Sequence, residues 1–299
     1  MVSFISFALR SLNRVINFQV GIEEVDCLKP HEEAIEDSLK RLIKTLKKCR
    51  FQKHPIIVDR DSKVILDGMH RWYAFKQLNI KHIGVCYVKY FDESIGLGRW
   101  LRVAKGTRIS PGKIVEVFRL NLKRKGFDFS ETRIQNIMDV KDIPSILVPE
   151  INVAFIIYNN EDKVSLFRKI HEMFKETVES INLKMDFIPD ISLSSKIEKE
   201  ILAIAVMPKV SKSDVVHAAG RGLLFPPKST RHEIPARPMM VNFPINLLKS
   251  SSTKDKVNAY LRALMRNRNA IHISPGLEMD RKYAEDLVLF WESRWFTVE

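Results

Sequence analysis

Residues 63–78 constrain the fold most tightly: Lys-Val-Ile-Leu-Asp-Gly-Met-His-Arg-Trp-Tyr-Ala-Phe-Lys-Gln-Leu. The short apolar run suits a buried strand better than a helix. Asp67-Gly68 then breaks it, and Ala74, Phe75 and Leu78 resume as the packing side of a helix over 69–78. A strand that turns on a glycine into a helix points to a mixed α/β unit. The neighbouring sequence agrees. Residues 15–25 alternate loosely and read as a strand, and 55–58 and 63–66 read as two strands joined by the polar turn 59–62. Residues 83–91 supply a further strand. Residues 33–50 read as a helix whose apolar stripe is Ile35, Leu39, Leu42, Ile43 and Leu46.

A second α/β unit follows. Residues 111–125 open on Pro111, suited to a first helical turn. Residues 151–158 read as a strand and 163–181 as a long amphipathic helix. Residues 201–210 fit a buried strand or a short helix. Residues 211–219 read as a helix with Asp214 three residues after Ser211, a capping-box spacing. A Pro-rich loop occupies 225–235. From about residue 246 the tail reads as helical, with Tyr260, Leu261 and Leu264, then Tyr283, Leu287 and Phe290, at helical intervals.

Composition narrows the classes. At 299 residues, 45% hydrophobic and 28% charged, the chain can bury a sizeable core. Its 49 basic and 36 acidic residues give +13, which favours anionic partners. No apolar run approaches the roughly 18 residues of a membrane span, and residues 1–14 do not read as a signal peptide because Arg10 interrupts their apolar stretch. Cys27, Cys49 and Cys86 form neither a disulfide framework nor a zinc site, which points to a reducing cytoplasm.

Three stretches can carry chemistry. Asp67-Gly68-Met69-His70-Arg71 opens a helix, where free N–H groups and the positive dipole end attract phosphate. His70 and Arg71 add donors, and Asp67 has the right sign for magnesium. The same residues also fit a plain corner with Asp67 as helix cap. Lys29-Pro30-His31-Glu32-Glu33 offers carboxylates that either complement a helix dipole or act as a general base. Lys228-Ser229-Thr230-Arg231-His232 is a run of hydrogen-bond donors after Pro226-Pro227. Trp100 follows the Gly-containing stretch 95–99. His31, His54, His82, His171, His217 and His272 show no metal spacing.

Taken together, these motifs resemble a known family. Residues 20–91 look like the ParB/sulfiredoxin-like fold, with its phosphate-binding corner. The combination of KPHE at 29–32, DGMHRW at 67–72, Trp100 and PPKSTRH at 226–232 is similar to the archaeal free L-serine kinases. That resemblance implies an α+β chain in three parts. Residues 1–108 would be a ParB/sulfiredoxin-like nucleotide-binding domain and 109–240 a second α/β domain carrying the substrate loop. Residues 241–299 lie beyond the family pattern and read, from their own spacing, as a helical extension. It implies phosphoryl transfer from ATP or ADP, with Mg2+, to the hydroxyl of free L-serine. Glu32 would be the base, and Asp67 the catalytic aspartate at the phosphate and magnesium centre. Gly68, Met69, His70, Arg71 and Lys228 would bind nucleotide phosphates. Trp100, Ser229, Thr230, Arg231 and His232 would surround serine. The implied enzyme is a cytoplasmic monomer or small homo-oligomer without a membrane partner.

The second reading is a ParB-like DNA-binding, partition-type protein. The charge of +13 and the basic runs 40–50, 122–125 and 262–268 favour it. Against it, the corner reads GMHR rather than the double-arginine form, and no helix-turn-helix adjoins it. A sulfiredoxin-type reductase needs a nucleophilic thiolate where Met69 stands. Protein-kinase motifs do not occur.

Overall fold

The computed structural model describes residues 4–11, 14–106, 109–158, 161–191, 198–279 and 283–292. The described residues divide into two compact units. The first is drawn from Met1–Gly96, Ala219–Gly222 and His232–Glu299, the second from Leu97–Ala218 and Leu223–Arg231. The sequence reading puts its first boundary near 108 and keeps 226–232 together. The compact units instead part at Leu97 and again between Arg231 and His232.

The chain begins β1 (Ile5–Ser11), β2 (Arg14–Glu24), α1 (Glu36–Leu46), β3 (Phe51–Gln52), β4 (Ile56–Asp59), β5 (Ile65–Asp67), α2 (Met69–Gln77) and β6 (His82–Val88). Five strands form a sheet in the order β1-β2-β6-β4-β5. β4 and β6 are parallel, and the other neighbours are antiparallel. The Ile-Ile-Val of β4 and all of β6 are buried, as β-branched runs in a covered sheet should be. A parallel pair needs a crossover, which β5 and α2 supply. The expected strand–glycine–helix corner is therefore present. The helix of 33–50 is shorter than its pattern, because Glu36 and Asp37 form the acidic first turn and 33–35 lie outside it.

The next stretch, which but for Gly96 and the last two residues of its final helix belongs to the second unit, contains β7 (Gly96–Lys105), α3 (Pro111–Arg124), β8 (Asp128–Arg133), β9 (Ser145–Val148), β10 (Val153–Tyr158), α4 (Lys163–Ser180), β11 (Lys184–Pro189), β12 (Ile201–Val206) and α5 (Lys212–Gly220). Its sheet runs β11-β7-β12-β9-β10-β8, with β13 (Thr230–Glu233) also on β7. The ambiguous 201–210 run is strand: every residue of β12 is buried. α3 and α4 pack together through Phe118 and Phe174, whose rings stack at 5.3 Å.

The closing stretch contains β14 (Ala236–Met239), β15 (Phe243–Pro244), α6 (Ile245–Leu248), α7 (Lys254–Met265), β16 (Arg268–Ile273) and β17 (Asp286–Glu292). α7 is the helix expected around Tyr260. The helical reading of Tyr283, Leu287 and Phe290 is corrected: Leu287 and Phe290 lie in β17, between parallel β14 and antiparallel β16. Leu-Val-Leu-Phe-Trp is strand-forming, and the spacing of Tyr283 coincides with helical intervals only because a turn separates it from Leu287. This stretch is also docked onto the first sheet. Phe243 lies so close to Gly84 that a Cβ there would sit 2.5 Å from the ring. Asn258 of α7 exchanges two hydrogen bonds of 2.8 Å with the backbone of Ile22. Among the described residues no helix is long and apolar enough to cross a membrane.

Candidate active site

The corner is built by Gly68, the cap of α2, in the left-handed region at φ 92°. A Cβ there would meet Ile56 Cγ2 at 2.4 Å, so both backbone and space call for glycine. Asp67 is not the helix cap, which corrects the plain-corner reading. Its Oδ2 accepts from Arg237 Nη1 at 2.9 Å and Arg71 Nη2 at 3.4 Å. Arg71 also donates through Nη1 to the carbonyls of His54 (2.6 Å) and Pro55 (2.9 Å). Much of its fork therefore holds the corner's own frame. His70 accepts the Ile35 N–H at Nε2 (3.0 Å). Met69 contributes its place in the first turn of α2.

Glu32 reaches the same unit by a backbone route. Lys29 N–H bonds Lys63 O, and Ile65 N–H bonds Lys29 O, so residues 29–32 run beside the strand that ends at Asp67. The Glu32 side chain is 14% exposed, and His31 Nε2 lies 3.7 Å from its Oε1. Tyr73 donates to the Glu32 carbonyl at 3.1 Å. The His31 and His232 rings meet edge to face at 5.3 Å. Nε2 of His232 is 2.8 Å from the Tyr90 hydroxyl. Burial pushes the His232 imidazole down to about 3; His31 adds to the shift, while Glu32 and Asp67 oppose it. His232 is a neutral hydrogen-bonding group near neutral pH. Glu32, His232 and Asp67, expected from the sequence, are thus brought together. His31, set aside for lack of metal spacing, Tyr90 and Arg237 join them. No local pattern marks Tyr90 or Arg237, since long-range pairing delivers both.

The second unit holds the rest. Arg102 of β7 is fully buried. It donates to the carbonyls of Trp100 (3.0 Å), Lys228 (3.1 Å) and Pro227 (3.1 Å), and through Nε to His171 Nδ1 (3.2 Å). Burial and the Arg102 charge push His171 down to about 3, so it stays a neutral acceptor. Lys228 adopts φ 58°, a left-handed conformation that costs a non-glycine residue roughly 1–3 kcal/mol. Its ammonium sits 4.6 Å over the Trp100 ring. The Ser229 hydroxyl donates to Pro226 O at 2.7 Å and staples the turn. Thr230 is buried and Arg231 half-buried on β13. Among the described residues no group of three or more His, Cys, Asp or Glu side chains is spaced to hold a metal.

An ATP-dependent L-serine kinase of Staphylothermus marinus is 26% identical over 240 residues, 76% of this chain and 90% of that protein. The chain is similar to L-serine kinases. Its fold agrees: a free serine kinase variant in complex with ADP superposes with a TM-score of 0.62 at 19% identity, over 77% of this chain and 93% of the other. A ParB-like protein of Sulfolobus acidocaldarius is also 26% identical, over 218 residues, 72% of this chain and 91% of that protein. No family model matches. Within the chain, the motif residues fall into two groups. Glu32, Asp67, Gly68, Met69, His70, Arg71 and His232 lie in one unit, and Trp100, Lys228, Ser229, Thr230 and Arg231 in the other.

Proposed function

We propose that the chain transfers a phosphoryl group from ATP or ADP to the hydroxyl of free L-serine. The gathering of His31, Glu32 and Asp67 around His232 in one unit carries this reading. Glu32 accepts the serine proton as the serine oxygen–phosphorus bond forms and the bond to the leaving nucleotide breaks, yielding O-phospho-L-serine and ADP or AMP. Neutral His232, held by Tyr90, orients the acceptor. The start of α2, with Arg71 and His70, receives donor phosphate through preorganised N–H groups. The resemblance assigns Trp100, Thr230 and Arg231 to serine and Lys228 to phosphate, while the Ser229 hydroxyl fixes the turn.

Magnesium fits as a passenger on the donor's phosphates, because hard oxygen ligands are offered by phosphate and by at most one or two carboxylates here. Asp67 is the residue that would meet it, and the ion would supply charge neutralisation. In this reading residues 1–108 bind nucleotide, 109–240 carry the substrate loop, and the free thiols of Cys27, Cys49 and Cys86 belong to a reducing cytoplasm.

The test is incubation with serine, magnesium and either nucleotide, with phosphoserine measured. Glu32→Gln should lower turnover by about 10²–10⁴-fold while leaving nucleotide affinity nearly unchanged. Wild-type protein that forms no phosphoserine with either donor, or a Glu32→Gln variant that turns over normally, refutes the assignment. Salt-sensitive binding of duplex DNA would favour the ParB-like reading instead.

A further inference from the structure

The closing stretch of the chain reaches the phosphate corner through one arginine. Arg237 is the second residue of β14, which pairs in parallel with β17, setting Arg237 opposite Leu287. The Asp286 N–H bonds Pro235 O at 3.2 Å and locks that register. The preceding residue, Glu285, accepts from Arg237 Nε. Arg237 then presents Nη1 to Asp67 at 2.9 Å. The side chains of Arg237 and Glu285 are only 11% and 14% exposed, so both are confined. A second tie runs parallel. The Met240 N–H bonds His54 Nδ1 at 3.1 Å, and the His54 carbonyl receives Arg71.

A guanidinium is a rigid fork. With Nε bonded to Glu285, Arg237 is held so that Nη1 meets Asp67. Removing Glu285 would let the fork rotate and grip Asp67 with two parallel bonds, drawing that carboxylate away from the corner. We propose that Glu285 is a positioning residue: it holds Arg237 so that Asp67 keeps its place beside the start of α2. This makes the stretch after residue 241 a working part of the phosphate corner. The inference rests on the kinase reading for Asp67's role.

The experiment compares full-length wild type with Glu285→Ala, Glu285→Gln and Arg237→Lys, measuring phosphoserine turnover and ADP affinity by titration calorimetry. Glu285→Ala should lower kcat by about tenfold or more and weaken ADP, while the KM for serine moves less than about threefold. Glu285→Gln should recover part of the loss, since its amide oxygen still accepts from Nε. Arg237→Lys should not, because an ammonium cannot bridge two carboxylates as a fork. Should Glu285→Ala fail to fold, the Gln and Lys variants decide. If both match wild type in kcat and ADP affinity, the inference falls. A folded Glu285→Ala protein with unchanged kcat and ADP affinity overturns it while leaving the kinase reading intact. Wild type that makes no phosphoserine, yet loses ADP affinity on Glu285→Ala, overturns the serine assignment and keeps the inference. A wild type that binds no ADP overturns both.

Discussion

The corner at 67–71 and the loop at 226–231 both bend the backbone into the left-handed region, but they sustain it differently. At the corner the residue is Gly68, which adopts φ 92° at little steric cost. In the loop it is Lys228 at φ 58°, a residue with a Cβ, in a turn clamped by a buried arginine from a distant strand. The corner is built largely by its own stretch of chain. The loop owes its shape to Arg102, more than 120 residues upstream. A strained turn without glycine needs an external scaffold, and the scaffold then becomes the vulnerable point.

Arg102→Met should have the largest effect. Three carbonyls would lose their donor inside the protein, a loss of about 3–5 kcal/mol by the usual cost of breaking a buried charged network. Denaturant melts would show the loss, and any folded fraction should have a KM for serine raised by a larger factor than ADP affinity is weakened, Lys228 alone linking the loop to phosphate. Weakened ADP affinity with an unchanged serine KM would erase the distinction between the two regions. Gly68→Ala comes next. A methyl group would meet Ile56 in a backbone region unsuited to alanine, costing about 2–4 kcal/mol. Calorimetry should then show weakened ADP binding.

Each region also holds a histidine kept neutral to about 3, His232 in the first unit and His171 beside Arg102. Both folded values lie below the unfolded one near 6.5. The unfolded chain therefore binds more protons between about 3 and 6.5, and stability falls as pH drops through that window. The slope reaches at most about 1.4 kcal/mol per pH unit for each group. Urea titrations at pH 7 and pH 5 should show the decline, and His171→Gln and His232→Gln should each flatten it. The smallest effect belongs to Lys228→Gly. Glycine relieves the φ 58° strain but forfeits the contact with Trp100, so stability should move by less than about 1 kcal/mol either way. A large loss would show that the Lys228 side chain, rather than Arg102, holds the loop.

The strand–glycine–helix corner and the Lys163–Ser180 helix were legible because each is written in a short window by periodicity and glycine. The strand at 286–292 was not. Its spacing imitates a helix, and only pairing with β14 and β16 decides it. Ser229 reads as a substrate donor in sequence, yet its proton is spent on Pro226 O.

What the sequence determined alone is the alternation of elements, the glycine at the corner and the supply of carboxylate, imidazole and guanidinium groups. Local backbone preferences and side-chain chemistry suffice for those. Which groups meet was decided by the tertiary structure. Arg237 on Asp67, His232 beside His31 and Arg102 under the loop all join residues far apart in the chain. Such contacts depend on strand register and sheet order, which no short window encodes.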